Sequence, residues 1–130
     1  MGTIRFDVVI NAPAQNAWEV VTDAGNLHTW FPGLKDCRIE GDLRTIVAEN
    51  GFEIPERIIT NDAILKRFQY SIEAPLFRGH LGTIDVIDLN HDQCVAVYST
   101  ECEPAALTLT IGGASAEALD NLKKRCEIVT

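Results

Sequence analysis

The sequence predicts an α+β domain in which a curved seven-stranded antiparallel sheet wraps around one long C-terminal helix, with two short helices after the first strand. Three observations carry this. Six strand-like runs follow one another between Leu34 and Glu103, and their connections are short enough to make them an antiparallel meander. A further strand precedes them, and the last stretch of chain has helical period. With 130 residues, 46% of them apolar, the chain makes one domain with a core of its own. A sheet with one apolar face needs something to close over it, and a single long helix is the obvious candidate.

The first run, Thr3 to Asn11, puts Ile4, Phe6, Val8 and Ile10 on one face, the period of a half-buried strand. Ala12-Pro13 ends it. From Pro13, residues Ala14, Ala17, Trp18 and Val21 recur at helical spacing, and Asp23-Ala24-Gly25-Asn26 stops the helix. Leu27 to Phe31 adds one helical turn closed by Pro32-Gly33, with Trp30 and Phe31 placed to cover one end of the core.

The meander reads as strands over about 34–41, 43–49, 52–60, 64–73, 80–90 and 94–103. Asn50-Gly51 signals a two-residue type I′ hairpin. Glu49 then pairs with Phe52 and Thr45 lies opposite Glu56, which puts Leu43, Val47, Phe52, Ile54, Glu56 and Ile58 on the apolar face and Arg44, Glu53 and Arg57 on the other. A three-residue loop at Asn61-Asp62-Ala63 pairs Ile54 with Tyr70 and Glu56 with Phe68, and adds Ile64 and Ile72 to the apolar face. In the last hairpin two registers compete: Gly82, Ile84 and Val86 face inward, with His80 following them, or Leu81, Ile87 and Leu89 do. The terminal stretch reads as a helix over roughly 105–127, bent at Gly112-Gly113, with a strand over 106–111 as the alternative.

Charge and motifs remove several function classes. A net charge of −8, with no basic block longer than Lys123-Lys124-Arg125, repels a phosphate backbone, so nucleic acid is not an expected partner. No apolar run approaches the roughly 18 residues of a membrane span, and the first residues lack the pattern of a signal peptide. Cys37, Cys94, Cys102 and Cys126 contain no CxxC pair and stand at no metal spacing from a histidine. They read as reduced thiols of a cytoplasmic protein. Neither a metal nor a cofactor is expected, because a glycine-rich phosphate loop and an HExxH are both missing.

Glu56 is the most informative residue: a carboxylate at the centre of an apolar face demands compensation for its desolvation. It is either a polar anchor for a ligand, an acid–base group in a dry pocket, or a structural carboxylate bonded to Thr45, Lys66 or water. Tyr70 shares the face and offers a phenol at the end of an apolar body. His80 follows the longest connection between strands, Ala74 to Gly79. Trp30, Phe68 and Tyr98 stand at core spacing, Trp30 at one end, and any of them can line a cavity.

Taken together, Val9-Ile10-Asn11-Ala12-Pro13, Ala17-Trp18-Glu19-Val20-Val21-Thr22-Asp23, Leu27-His28-Thr29-Trp30-Phe31-Pro32, Pro55-Glu56-Arg57-Ile58, Gly82-Thr83-Ile84-Asp85-Val86 and Leu119-Asp120-Asn121-Leu122-Lys123 resemble the polyketide cyclase/dehydrase and START-like superfamily, to which the birch pollen allergen type belongs. The resemblance covers nearly the whole chain. It implies a helix-grip fold with a hydrophobic cavity between sheet and terminal helix, used for lipids, hormones, polyketides or other small molecules, and a glutamate in the position of Glu56 that points into the cavity. The expected function is therefore binding of a small hydrophobic or amphipathic ligand, with Glu56, Tyr70, His80, Trp30, Phe68 and Tyr98 as ligand-facing residues. Two alternatives are a cyclase, dehydratase or isomerase using Glu56 or His80 as acid or base, and a protein-interaction module. Tyr98, where many relatives carry Trp, and the Gly112-Gly113 pair depart from the common pattern.

Overall fold

A computed structural model describes residues 1–128. Seven strands form one open antiparallel sheet: β1 (Gly2–Ile10), β2 (Leu34–Glu40), β3 (Leu43–Ala48), β4 (Glu53–Asp62), β5 (Arg67–Ile72), β6 (Gly79–Asn90) and β7 (Gln93–Glu103). Their spatial order is β1-β7-β6-β5-β4-β3-β2, so the meander from β2 to β7 ends by bringing β7 back against β1. Between β1 and β2 lie the helix α1 (Ala14–Thr22) and a 3-10 turn at Ala24–Thr29. Trp18 and Val21 are buried in the core, as their spacing predicts, and Leu27 and Trp30 from the same segment join them.

The terminal segment begins as a 3-10 turn at Ala105–Leu107, continues as the short helix α2 (Thr108–Gly112), and resumes as α3 (Ser115–Cys126). The helical reading holds over 106–111, and the interruption falls at the glycine pair. α2 packs on β1 and β7. A Cβ on Gly112 would stand 3.2 Å from the Thr100 side chain and 2.5 Å from Ile4, so this half of the grip is closed. α3 is tied down by Asn121 Nδ2 donating to the Trp30 carbonyl at 2.9 Å, Lys123 Nζ donating to the Val9 carbonyl at 2.9 Å, and Glu127 accepting from the Asn11 N–H at 2.7 Å.

Two registers differ from the sequence expectation, and both differences follow from turn chemistry. The β3–β4 hairpin has a three-residue loop: Ala48 N–H donates to the Phe52 carbonyl and Gly51 N–H to the Ala48 carbonyl, each at 2.8 Å. Gly51 takes the left-handed position such a loop requires, at φ +90°. Thr45 therefore faces Pro55, and Arg44 faces Glu56. Because side chains alternate with period two, this one-residue shift carries Arg44 and Ile46 to the inner face and moves Leu43 and Val47 off it, while Phe52, expected on the apolar face, stands just before β4 and is 67% exposed.

The β4–β5 turn comes later than Asn61-Asp62-Ala63. Asp62 Oδ1 accepts from the N–H groups of Ile64 and Leu65, both at 2.9 Å, and Lys66 closes the turn at φ +54°. Ile64 consequently leaves the apolar face and is 92% exposed. A bulge between Ile58 and Thr60 shifts the ladder, so Glu56 pairs with Ile72 and Ile58 with Tyr70, in place of Glu56 with Phe68 and Ile54 with Tyr70. Phe68, Tyr70 and Ile72 still face inward and are buried. In the β6–β7 hairpin His80 pairs with Cys102, Gly82 with Thr100 and Ile84 with Tyr98, which resolves the competing registers in favour of His80 and Tyr98 inside.

Candidate functional site

Register brings a row of residues together on the inner face: Arg44 on β3 faces Glu56 on β4, which faces Ile72 on β5. Arg44 Nε donates to Glu56 Oε1 at 2.8 Å, with the two residues 1% and 2% exposed. The guanidinium carbon lies 5.3 Å from the Phe68 ring centre and 5.0 Å from that of Tyr70, a distance at which the ring faces attract a cation. Arg44 Nη1 reaches the Ala24 carbonyl at 3.4 Å, and Nη2 has no partner. Burial pushes the Glu56 carboxyl above the ordinary carboxylate range, against the pull of Arg44. Burial also works against the Arg44 charge, and the facing carboxylate more than restores it.

Next to this pair the hydroxyls of Tyr70 and Tyr98 share a hydrogen bond. Tyr70 gets there by lying across Gly82, where a Cβ would overlap its ring. Burial pushes both phenols upward, so both are neutral over the ordinary pH range. His80 sits 5.6 Å from the Tyr70 ring, and its Nδ1 accepts the Ile72 N–H at 2.9 Å. Desolvation lowers its pKa to about 4, so the neutral ring carries its proton on Nε2. Trp30 stands 6.5 Å from Tyr98 at the far end of the cluster. All six residues that the sequence singles out, Glu56, Tyr70, His80, Trp30, Phe68 and Tyr98, thus meet in one buried cluster.

An apolar pocket of about 270 Å³ opens beside it, lined by Phe52, Ile54, Ile72, Ala74, Pro75, Leu76, Phe77 and Ile111. It lies among the β5–β6 loop, β4, β5 and Ile111 of α2. None of the six residues lines it. Two lining residues connect the pocket to the cluster: Ile72 holds His80 through its N–H, and the Phe77 ring meets the His80 ring edge-on at 5.6 Å. Other depressions, such as the one at Lys66, Asp88, Asn90, His91 and Asp92, are open and edged by charged side chains.

A family model described as polyketide cyclase / dehydrase and lipid transport matches residues 1–127. The chain belongs to this family. Solved structures with the same fold include the protein XoxI from Bacillus cereus, 19% identical with a TM-score of 0.87 over 97% of this chain and 96% of that one. A START superfamily protein from Mycobacterium smegmatis is 16% identical, with a TM-score of 0.78 over 98% of both chains. The di-domain ARO/CYC protein BexL, from the BE-7585A biosynthetic pathway, is 18% identical with a TM-score of 0.81. That match covers 99% of this chain and 47% of BexL. No curated protein matches the chain in sequence.

In this polyketide cyclase / dehydrase and lipid transport domain, Arg44 is the member of the cluster that sequence reasoning places on the wrong face. The signal was present. Gly51 serves the left-handed position of a three-residue loop as readily as the second position of a type I′ turn, and only the three-residue form supplies Glu56 with a countercharge. Among the described residues no helix is long and apolar enough to cross a membrane, and no group of three or more His, Cys, Asp or Glu could hold a metal ion.

Proposed function

We propose that the domain binds one small hydrophobic or amphipathic molecule, with its apolar body in the pocket between the β5–β6 loop and α2 and its polar end toward the cluster of Glu56, Tyr70, His80, Trp30, Phe68 and Tyr98. The observation that carries this reading is a wholly apolar pocket whose inner wall, Ile72 and Phe77, rests directly on a buried polar group, His80. Apolar walls with a few convergent polar groups are the usual form of a small-ligand site. The volume, about 270 Å³, stands just below the usual range for small-ligand pockets and suits a small molecule. Membership of a family that includes lipid transport supports the same reading, and a soluble ligand carrier held in the cytoplasm is its natural setting.

Acid–base catalysis of the cyclase, dehydratase or isomerase kind would call for a second proton-exchanging group within reach of Glu56. The group at hydrogen-bond distance is Arg44, whose guanidinium does not give up its proton. Binding is therefore favoured over turnover. The test is a titration with 1-octanol, followed by calorimetry and by amide shifts in ¹⁵N-labelled protein. Shifts concentrated at residues 54, 72–74, 76, 77 and 111, and their loss in Ile111→Trp, which fills the pocket, are expected. Saturating octanol that moves no amide around the pocket would refute the reading.

A further inference from the structure

The buried cluster has an imbalance that the ion pair does not use. Among the described residues, the buried side-chain polar atoms without a partner include Trp30 Nε1, Arg44 Nη2 and His80 Nε2, and all three residues belong to the cluster. Each of these atoms is a donor: indole and guanidinium nitrogens only donate, and the Ile72 N–H on Nδ1 leaves the His80 proton on Nε2. His80 and Arg44 both flank the Tyr70 ring, at 5.6 Å and 5.0 Å. Tyr70 is joined through its hydroxyl to Tyr98, which stands beside Trp30. Buried donors are ordinarily satisfied, and of these three His80 is the one in contact with residues that line the pocket, Phe77 and Ile72.

We infer that the ligand is one whose leading end is an oxygen acceptor, a carbonyl or carboxylate, taken first by His80 Nε2–H once the Phe77 ring moves aside, with Arg44 Nη2 behind it. This rests on the pocket described above and specifies the chemistry of the molecule it takes. His80 comes first because Phe77 and Ile72, which line the pocket, are the residues in contact with it. A cationic end is disfavoured twice, since it brings no acceptor for the three donors and meets the Arg44 charge.

The test compares octanoate, octan-2-one and octylamine at pH 7, with 1-octanol as reference. Octanoate and octan-2-one are expected to bind about tenfold more tightly than octylamine, the worth of one hydrogen bond to a buried donor. Octanoate ahead of the ketone indicates a carboxylate ligand, and equality of the two a neutral carbonyl. In the wild-type protein, the His80 Nε2–H resonance should shift when either acceptor saturates the pocket and stay in place with octylamine. His80→Phe should reduce the preference to within about twofold and weaken 1-octanol less than octanoate, since a hydroxyl is also an acceptor. If 1-octanol binds and the three probes are equal, or the His80 resonance ignores the acceptors, the acceptor inference is wrong and the pocket reading survives. If 1-octanol fails as well, both are wrong.

Discussion

Glu56→Gln replaces one oxygen by an NH2 group and leaves a buried guanidinium without its countercharge. From the sequence alone, neutralising Glu56 relieves a desolvation cost and is expected to change ligand affinity more than fold stability, because a lone buried carboxylate is expensive. The structure reverses that expectation. Arg44 is 1% exposed, and its remaining contacts are two ring faces and a 3.4 Å approach to the Ala24 carbonyl. None of these carries a negative charge. Breaking a buried pair by removing one partner costs about 3–5 kcal/mol, whereas replacing both partners by apolar groups of similar volume is neutral or stabilising by about 1–4 kcal/mol. Against a total stability of about 5–15 kcal/mol, Glu56→Gln should remove at least about a fifth of it. The double variant Arg44→Met with Glu56→Leu should return it to at least near the wild type. Urea unfolding measures both, with an unchanged m-value confirming that the free energies are comparable. A Glu56→Gln protein within about 1 kcal/mol of the wild type would refute the argument, as would a double variant as unstable as the single.

Two further expectations concern the neighbouring residues. Gly82→Ala puts a Cβ into the Tyr70 ring and should cost about 1–3 kcal/mol by overpacking. It should also separate the Tyr70 and Tyr98 hydroxyls, visible as a change in near-UV circular dichroism, and an unchanged spectrum would mean the ring does not lie over residue 82. The pKa of His80 falls from the ordinary 6.5 to about 4 on folding, so between those pH values the unfolded chain binds more protons than the folded one. Its contribution to stability is complete above about pH 6.5 and is lost as the pH drops toward 4. Urea midpoints across this range, together with the NMR titration of the ring, check the sign. His80 titrating near 6.5 in the folded protein would contradict it.

The succession of strands, the helices after β1 and the helical C-terminal segment were legible because periods of two and 3.6 are local properties of the chain. So was the inward face of β4 and β5 at Ile54, Glu56, Ile58, Phe68, Tyr70 and Ile72, since each strand carries its own alternation whatever its neighbour does. Pairing was not legible to the same degree. Asn50-Gly51 fits either a two-residue or a three-residue loop, and one residue of difference moves Arg44 from solvent to the core. The side chain of Asp62 likewise decides where β4 ends, through two hydrogen bonds that the hydrophobic pattern does not record. The orientation of His80 depends on β6 meeting β7, and the Tyr70–Tyr98 contact joins residues 28 apart through a space that only Gly82 leaves open. The sequence by itself therefore determined the elements and that a carboxylate lies among apolar side chains. Tertiary structure decided which cation faces it and which donors are left unpaired, because those depend on turn lengths and cross-strand distances, to which a residue's own neighbours in sequence contribute almost nothing.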